Sequence, residues 1–124
     1  MDKLLSGRRV LVIEDEMLII MMIEDMLGDL GCDSIAVASK IDPALSLIAG
    51  QDFDTAMLDM NLNGLESYPI ADALTAREVP YFFSTGNSVS NVKYGYRDQD
   101  ILKKPFTFEQ LVNMLSRSLL LKTA

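Results

Sequence analysis

The segment that most constrains the fold is a short apolar run at residues 55–58, which lies between an aspartate and turn-forming residues. The run is too short for a helix, and the Asn-Gly pair at 63–64 is typical of a turn, so the pattern predicts a buried strand. Asp59 stands where this strand ends. Open α/β sheets place their chemistry at such strand ends, but an isolated aspartate there is more often only part of a turn. The rest of the chain decides between these two interpretations.

The composition limits the chemistry that the chain can carry out. Its 124 residues include no histidine and one cysteine, Cys32, which excludes a catalytic histidine and a structural zinc site. A bound metal would therefore need oxygen ligands, and such ligands favour Mg²⁺. The single cysteine also excludes an internal disulfide and favours a reducing compartment. We therefore expect a cytoplasmic protein.

Charge and hydropathy argue against two classes of partner. The net charge of −7 disfavours direct binding to nucleic acid, because basic residues supply most of the affinity in such complexes. The longest apolar run, residues 17–23, is much shorter than the roughly 20 residues needed to span a bilayer. The N-terminal residues also lack the apolar stretch of a secretion signal. We expect neither nucleic acid nor a membrane as a direct partner.

The hydrophobic pattern divides the chain into five units, each a strand followed by a helix. Strands are predicted at residues 8–13, 34–38, 55–58, 80–84 and 100–103. Helices are predicted at about 16–30, 42–50, 67–77, 88–98 and 107–121, of which the fourth is weakly specified. This alternation predicts one α/β domain, residues 1–124, whose parallel sheet has helices on both faces.

Local signals support several of these helices. Asp42 and Pro43 are a predicted N-cap and first-turn proline, and Thr107 with Gln110 forms a capping-box signature. Pro69 should lie in the first turn of the third helix. In the first helix, apolar residues at helical spacing predict a buried stripe formed by Ile19, Met22, Ile23, Met26, Leu27 and Leu30.

Polar residues at the predicted strand ends define a candidate site. The carboxyl ends of parallel strands share one edge of the sheet, and here they carry Glu14, Asp15, Asp59, Thr85 and Lys104. Adjacent carboxylates repel one another unless a cation lies among them, and Mg²⁺ accepts carboxylates together with a phosphate. A lysine and a threonine hydroxyl suit phosphoryl oxygens. Each residue alone has an ordinary explanation, but the set predicts a carboxylate that attacks phosphorus while Mg²⁺ and Lys104 neutralise the developing charge.

This pattern resembles the receiver domains of two-component response regulators, of which the chemotaxis-regulator (CheY-like) type is best known. The resemblance covers residues 8 to about 121. It is carried by the acid pair after the first strand, Asp59 after the third, Thr85 after the fourth, and Lys104-Pro105-Phe106 after the fifth. It implies a flavodoxin-like, doubly wound sheet of strand order 2-1-3-4-5 with five helices.

The resemblance also implies roles for individual residues. Asp59 would be the phosphoacceptor, Thr85 the switch hydroxyl, and Lys104 a contact to the phosphoryl group. The peptide bond between Lys104 and Pro105 is typically cis in such domains. The Mg²⁺ ligands would be Glu14, Asp15, Asp59 and the backbone carbonyl of Met60.

Two departures from the family pattern concern how phosphorylation is sensed. Glu14 stands where the family more usually has Asp, so its metal contact could be direct or through water. Ile101 replaces the Tyr or Phe that usually lies three residues before the lysine. Residues 80–86 resemble the receiver subgroup nicknamed FATGUY, which also lacks this aromatic, although Ser84 and Asn87 depart from its usual residues.

The expected function is that of a phosphorelay receiver. It would accept a phosphoryl group from a phosphohistidine on a histidine kinase or histidine phosphotransfer protein, and act through an unknown output protein or as a phosphate shuttle or sink. It would not be an enzyme, beyond at most slow self-dephosphorylation.

Two alternatives remain open at this stage. A small phosphatase of the haloacid dehalogenase type also uses a strand-end aspartate, but it needs a second acid where Asn61 stands. A degenerate receiver could bind partners without phosphorylation, although the retention of Asp15, Asp59, Thr85 and Lys104 argues against it.

Three apolar residues lie off the buried stripe of the first helix, namely Met17, Ile20 and Met21. Exposed apolar clusters often mark interaction sites, and methionine adapts to varied partners. In related receivers the start of this helix docks on the helical bundle of the phosphodonor. We therefore predict that the three residues form such a docking face, unless neighbouring loops bury them.

Overall fold

Alternating strands and helices make up the described chain, which comprises residues 3–86, 92–96 and 99–123 of the computed structural model. In chain order the elements are β1 (Arg9–Ile13), α1 (Met17–Asp29), β2 (Ser34–Ala38), α2 (Ile41–Gly50), β3 (Thr55–Asp59), β4 (Asn61–Leu62), β5 (Leu65–Glu66), α3 (Tyr68–Ala76), β6 (Tyr81–Thr85), a 3₁₀ turn (Tyr94–Tyr96), β7 (Ile101–Lys103) and α4 (Phe108–Thr123).

Five of these strands form one parallel sheet in the order β2-β1-β3-β6-β7. This is the predicted order 2-1-3-4-5, so the flavodoxin-like fold class is confirmed. Every residue of β3 is buried, as expected for a central strand with both faces covered.

The two faces of the sheet belong to two apolar clusters. Alternate strand residues such as Leu11, Leu58 and Phe83 pack against α2 and α3, while their neighbours, such as Val12 and Phe82, pack against α1 and α4. The alternation follows from the two-residue period of a strand. The sheet is therefore a rigid central layer whose carboxyl edge lies between the two helical layers.

The predicted stripe of α1 was partly wrong. Ile20, Ile23 and Leu27 are the buried residues of this helix, whereas Met22 is 37% exposed. At 100° per residue, the buried arc is centred near Ile23, which places Ile20 inside the arc and Met22 outside it. Ile20 is only 7% exposed, so its predicted place on an exposed face is also wrong.

The remaining helices agree with the predictions except at two points. Lys40, not Asp42, occupies the N-cap position of α2, and Asp42 lies in the first turn, where a negative charge suits the helix dipole. Pro69 lies in the first turn of α3 as predicted. The part of the chain that the structure describes contains four α-helices; the predicted helix at 88–98 falls largely outside it, and its described residues include the 3₁₀ turn.

A short hairpin between β3 and α3 was not predicted. Its strands β4 and β5 pair antiparallel, and Asn63 and Gly64 form the turn with φ angles of 53° and 87°. Elsewhere, the peptide bond between Lys104 and Pro105 is cis, as the resemblance implied. Among the described residues, no helix has both the length and the apolar character needed to cross a membrane.

The capping box of α4 is confirmed and can be tested. The Thr107 N–H donates to Gln110 Oε1 at 2.8 Å, and the Gln110 N–H donates to Thr107 Oγ1 at 3.1 Å. We expect Thr107→Ala to lower the free energy of unfolding by about 1 kcal/mol, because one N–H of the first turn loses its acceptor. Urea unfolding measures this effect. Thr107→Ser keeps the hydroxyl and should stay close to wild type; equal losses in both variants would contradict a capping role.

Candidate functional site

The carboxyl edge of the sheet brings together residues that are far apart in sequence. Lys104 Nζ, directly after β7, donates to Glu14 Oε1 at 2.6 Å and to Asp59 Oδ2 at 3.1 Å. Glu14 follows β1 and Asp59 ends β3. The predicted convergence of strand ends is therefore present in the structure, with a cation between two carboxylates.

Each carboxylate is also held by main-chain N–H groups. Glu14 is 1% exposed, and its Oε2 accepts the N–H groups of Asp15 and Glu16 at 3.1 Å each. Asp59 Oδ1 accepts the N–H of Asn61 at 3.2 Å. These donors hold the carboxylates in place at the edge of the sheet.

The third carboxylate, that of Asp15, is less buried than the other two and is tied to the hairpin. Its Oδ2 accepts the N–H of Asn63 at 2.8 Å. Oxygens of Glu14, Asp15 and Asp59 lie within 4.8 Å of one another. Sequence reasoning found the three acids but missed Asn63 and the hairpin, and the Asn-Gly pair was the one signal that could have indicated them.

Burial and charge move the pKa values of two residues upward. Burial, together with the neighbouring Glu14 charge, raises the pKa of Asp59 to about 7. Because an unfolded Asp has a pKa near 3.9, ionisation of Asp59 lowers stability as the pH rises from about 4 to about 7. Burial alone would lower the pKa of Lys104, but the hydrogen bond to Glu14 and the charges of both acids outweigh it and raise that pKa. The ammonium therefore stays charged.

Asp15 is shifted in the opposite direction. Partial burial would raise its pKa, but the Asn63 N–H and the other groups around the carboxylate outweigh burial and lower the pKa. Asp15 therefore ionises more readily than Asp59.

Two other predicted site residues lie nearby. Thr85 ends β6 and is buried, and its carbonyl accepts the Lys104 N–H at 2.8 Å. The Met60 carbonyl accepts the N–H of Ser67 at 3.1 Å, so this oxygen already has a protein partner, and its role as a metal ligand stays a prediction.

An aromatic cluster lies beside the position where the family aromatic is missing. Ile101 is half-buried on β7 and packs against the same apolar cluster as Tyr96. The Tyr96 ring stacks on Tyr68, with 4.4 Å between ring centroids, and meets Phe83 edge-on at 6.4 Å. The Tyr96 hydroxyl donates to Asp72 Oδ1 at 2.6 Å. Sequence reasoning missed this cluster because its members are separated by long stretches of chain.

The predicted docking face is only partly exposed. Met17 and Met21 are 67% and 54% exposed, whereas Ile20 packs inward. Leu18, which was not among the predicted residues, is 80% exposed. The exposed apolar surface at the start of α1 therefore consists of Met17, Leu18 and Met21, close in sequence to the acid pair.

The donor set fits a hard divalent cation. The three carboxylates offer only oxygen ligands within a small space, which suits Mg²⁺. Burial and the Glu14 charge raise the pKa of Asp59 although the Lys104 ammonium acts to lower it, and a further cation would favour the ionised carboxylate. Asp15 is the least buried of the three acids, and Asp59 is 7% exposed against 1% for Glu14, so Asp15 and Asp59 are the more accessible ligands.

Comparison with known proteins identifies the family. The chain matches the family model described as the response regulator receiver domain over residues 10–116. The protein therefore belongs to the receiver domain family of two-component response regulators, and the haloacid dehalogenase alternative is excluded as its family.

Individual relatives agree with this placement. The solution structure of the BeF3-activated conformation of SdrG from Pseudomonas melonis Fr1 has 37% identity and a TM-score of 0.80, and covers 92% of this chain and 98% of that chain. The receiver domain of the sensor histidine kinase PA1611 from Pseudomonas aeruginosa PAO1, with a magnesium ion coordinated in its active site cleft, has 26% identity and a TM-score of 0.75, at 92% and 98% coverage.

A curated relative is much longer than this chain. Transcription factor SKN7 of Saccharomyces cerevisiae (strain ATCC 204508 / S288c) is 30% identical over 120 residues, which is 92% of this chain and 19% of the relative. The chain thus spans about a fifth of the length of the curated relatives it matches.

The ion cluster gives a prediction about stability. Lys104→Met keeps a long unbranched side chain but removes the ammonium between two buried carboxylates, so we expect the free energy of unfolding to fall by about 3–5 kcal/mol without Mg²⁺. Added Mg²⁺ should recover most of this loss. Urea unfolding with and without millimolar Mg²⁺ measures both effects.

Lys103→Met is the matched control, because Lys103 is the exposed neighbouring lysine. It should behave like wild type under both conditions. If Lys104→Met were as stable as Lys103→Met without Mg²⁺, the Lys104 ammonium would not compensate the cluster.

Proposed function

We propose that this receiver accepts a phosphoryl group on Asp59 from a phosphohistidine of a histidine kinase or histidine phosphotransfer protein. The observation that carries the proposal is the buried Asp59 carboxylate at the end of β3, with the Lys104 ammonium 3.1 Å from one of its oxygens. A carboxylate so placed is a nucleophile next to a fixed positive charge, which is what phosphoryl transfer requires.

The chemistry is a displacement at phosphorus. An oxygen of the ionised Asp59 carboxylate forms a bond to phosphorus while the P–N bond of the phosphohistidine breaks, and the imidazole leaves with the electron pair. The product is an acyl phosphate on Asp59. Lys104 stabilises the charge on the phosphoryl oxygens, and Thr85, at the end of the neighbouring strand β6, offers a hydroxyl to the same group.

The acidic cluster supports a requirement for Mg²⁺. Asp15 and Asp59 would hold the ion, with Glu14 and the Met60 carbonyl as further oxygen ligands. When bound, Mg²⁺ supplies positive charge that offsets the repulsion between carboxylate and phosphate. The magnesium ion in the cleft of the PA1611 receiver domain supports this assignment.

The output is proposed to be a protein–protein signal. The domain would act through contacts with an output protein, or as a phosphate shuttle or sink, and not as an enzyme beyond slow self-dephosphorylation. We place it in the cytoplasm because a single cysteine favours a reducing compartment. We place it in the FATGUY subgroup of receivers on the basis of the 80–86 segment and of Ile101, where the family usually has an aromatic residue.

The start of α1 is the proposed contact with the phosphodonor. Met17, Leu18 and Met21 are exposed apolar side chains on the helix that follows the acid pair, and such clusters suit partner binding. Two of the three are methionines, whose flexible side chains can pack against more than one surface.

Phosphorylation of Asp59 can be tested directly by intact-mass spectrometry after incubation with acetyl phosphate. Wild type should gain one phosphoryl group in the presence of Mg²⁺ and none in excess EDTA. Asp59→Asn should gain none, because the amide is not a nucleophile. Asp52→Asn, which changes an exposed aspartate paired with Arg77, is the matched control and should be labelled like wild type. Equal labelling of both variants would refute the assignment.

The docking face is tested by comparing phosphoryl transfer from a protein donor with labelling by acetyl phosphate. Met21→Lys should slow transfer from a phosphorylated kinase or phosphotransfer protein by at least about tenfold, since a charge enters the apolar contact, while labelling by acetyl phosphate stays unchanged. Leu120→Lys introduces the same charge at another exposed apolar position, 68% exposed on α4. If both variants accept phosphate from the protein donor at the wild-type rate, the docking face lies elsewhere.

A further inference from the structure

Asn63 and Gly64 form the turn of the β4–β5 hairpin, and both residues have left-handed backbone conformations, with φ of 53° and 87°. Two consecutive positive φ values are typical of a type I′ turn, for which Asn-Gly is a preferred pair. The Gly64 N–H donates to Asn61 Oδ1 at 2.9 Å, so the turn is closed by a side chain of the hairpin itself.

This hairpin is too short to be stable alone. Each strand has two residues, and even longer isolated hairpins are marginal in water. Leu62 is its one buried residue. Its polar contacts to other segments include the Asn63 N–H to Asp15 Oδ2 at 2.8 Å and the Asn63 side chain to the Ser39 carbonyl at 3.5 Å. The short contact to Asp15 is therefore a principal anchor of the turn.

The same hairpin reaches two carboxylates that belong to different strands. The Asn61 N–H holds Asp59, which ends β3, and the Asn63 N–H holds Asp15, which follows β1. Groups that hydrogen-bond to metal ligands orient them, and their loss typically weakens metal binding. The hairpin thus contacts two of the three carboxylates of the site through its main-chain N–H groups.

We propose that Asn63 is a positioning residue for the divalent cation: its main-chain N–H, presented by the left-handed turn, holds the Asp15 carboxylate in the orientation of a ligand. The proposal rests on the proposed function, because it takes Mg²⁺ as bound by the acidic cluster. Asparagine is required for its tolerance of positive φ and not for its side-chain amide. A glycine should therefore replace it, and a β-branched residue should not.

The test compares Asn63→Gly with Asn63→Val in the full chain. Isothermal titration calorimetry gives the Mg²⁺ dissociation constant of each unphosphorylated protein, a readout independent of phosphotransfer. Asn63→Gly keeps the turn and the N–H and should bind Mg²⁺ within about twofold of wild type. Asn63→Val disfavours positive φ and should bind about tenfold more weakly. If Asn63→Val does not fold, Asn63→Ala takes its place.

A second measurement does not depend on variants of the turn. The Asn63 amide should exchange with solvent at least about tenfold faster in Asp15→Ala than in wild type, while the Leu65 amide of the same hairpin is less affected. Exchange that is unchanged at Asn63 would show that Asp15 is not its partner and would overturn the proposal.

The outcomes separate this inference from the proposed function. Wild type that binds no Mg²⁺ would overturn the proposed metal site, and the positioning role with it. If wild type, Asn63→Val and Asn63→Gly all bind Mg²⁺ with equal affinity, the positioning role alone is overturned. An equal tenfold loss in both variants would assign the effect to the asparagine side chain and also overturn the proposal.

Discussion

The Lys104 ammonium between Glu14 and Asp59 is the interaction on which the arrangement of the site depends. The two acids lie 90 and 45 residues before the lysine in sequence, and the parallel sheet is what aligns all three at one edge. Burying two like charges with one opposite charge adds little net stability compared with apolar packing. The fold is therefore held mainly by the two apolar clusters, while the charged edge is kept for its chemistry.

The two aspartates of this edge differ because their surroundings differ. Burial and Glu14 raise the pKa of Asp59 to about 7, whereas hydrogen bonds lower the pKa of Asp15. Neighbouring titratable groups whose pKa values move apart generally have distinct roles. Burial makes Asp59 the harder of the two to ionise, whereas the N–H donors around Asp15 favour its charged form. The division of roles thus follows from burial and donors, not from residue type.

Much of the fold and of the candidate site could be predicted, because the carboxyl ends of parallel strands lie at the same edge of the sheet whatever the strand order. Four strand ends, which carry Glu14 and Asp15, Asp59, Thr85, and Lys104, were enough to predict this convergence. The buried stripe of α1 was harder to predict, because the helix carries apolar residues on several of its faces. Periodicity gives the spacing of these residues but does not show which arc of the helix faces the sheet. For this reason the prediction placed Met22 in the buried stripe and Ile20 on the exposed face, whereas in the structure Ile20 is buried and Met22 is exposed.

The β4–β5 hairpin was not predicted. The Asn-Gly pair indicated a turn, but two-residue strands show no alternation, and the partner of the turn, Asp15, lies 48 residues away. Non-local hydrogen bonds of this kind leave no periodic pattern.

The aromatic cluster illustrates the same limit and bears on how the site is coupled to the fold. The sequence shows that position 101 is an isoleucine and not an aromatic residue. It does not show that Tyr96 stacks on Tyr68 and meets Phe83 edge-on. Phe83 lies two residues before Thr85 on β6, so both side chains face the same side of the sheet. Aromatic pairs contribute about 0.5–1.5 kcal/mol each. Phe83 on β6 therefore packs with Tyr68, the first residue of α3, and with Tyr96 of the 3₁₀ turn, although β7 carries no aromatic ring.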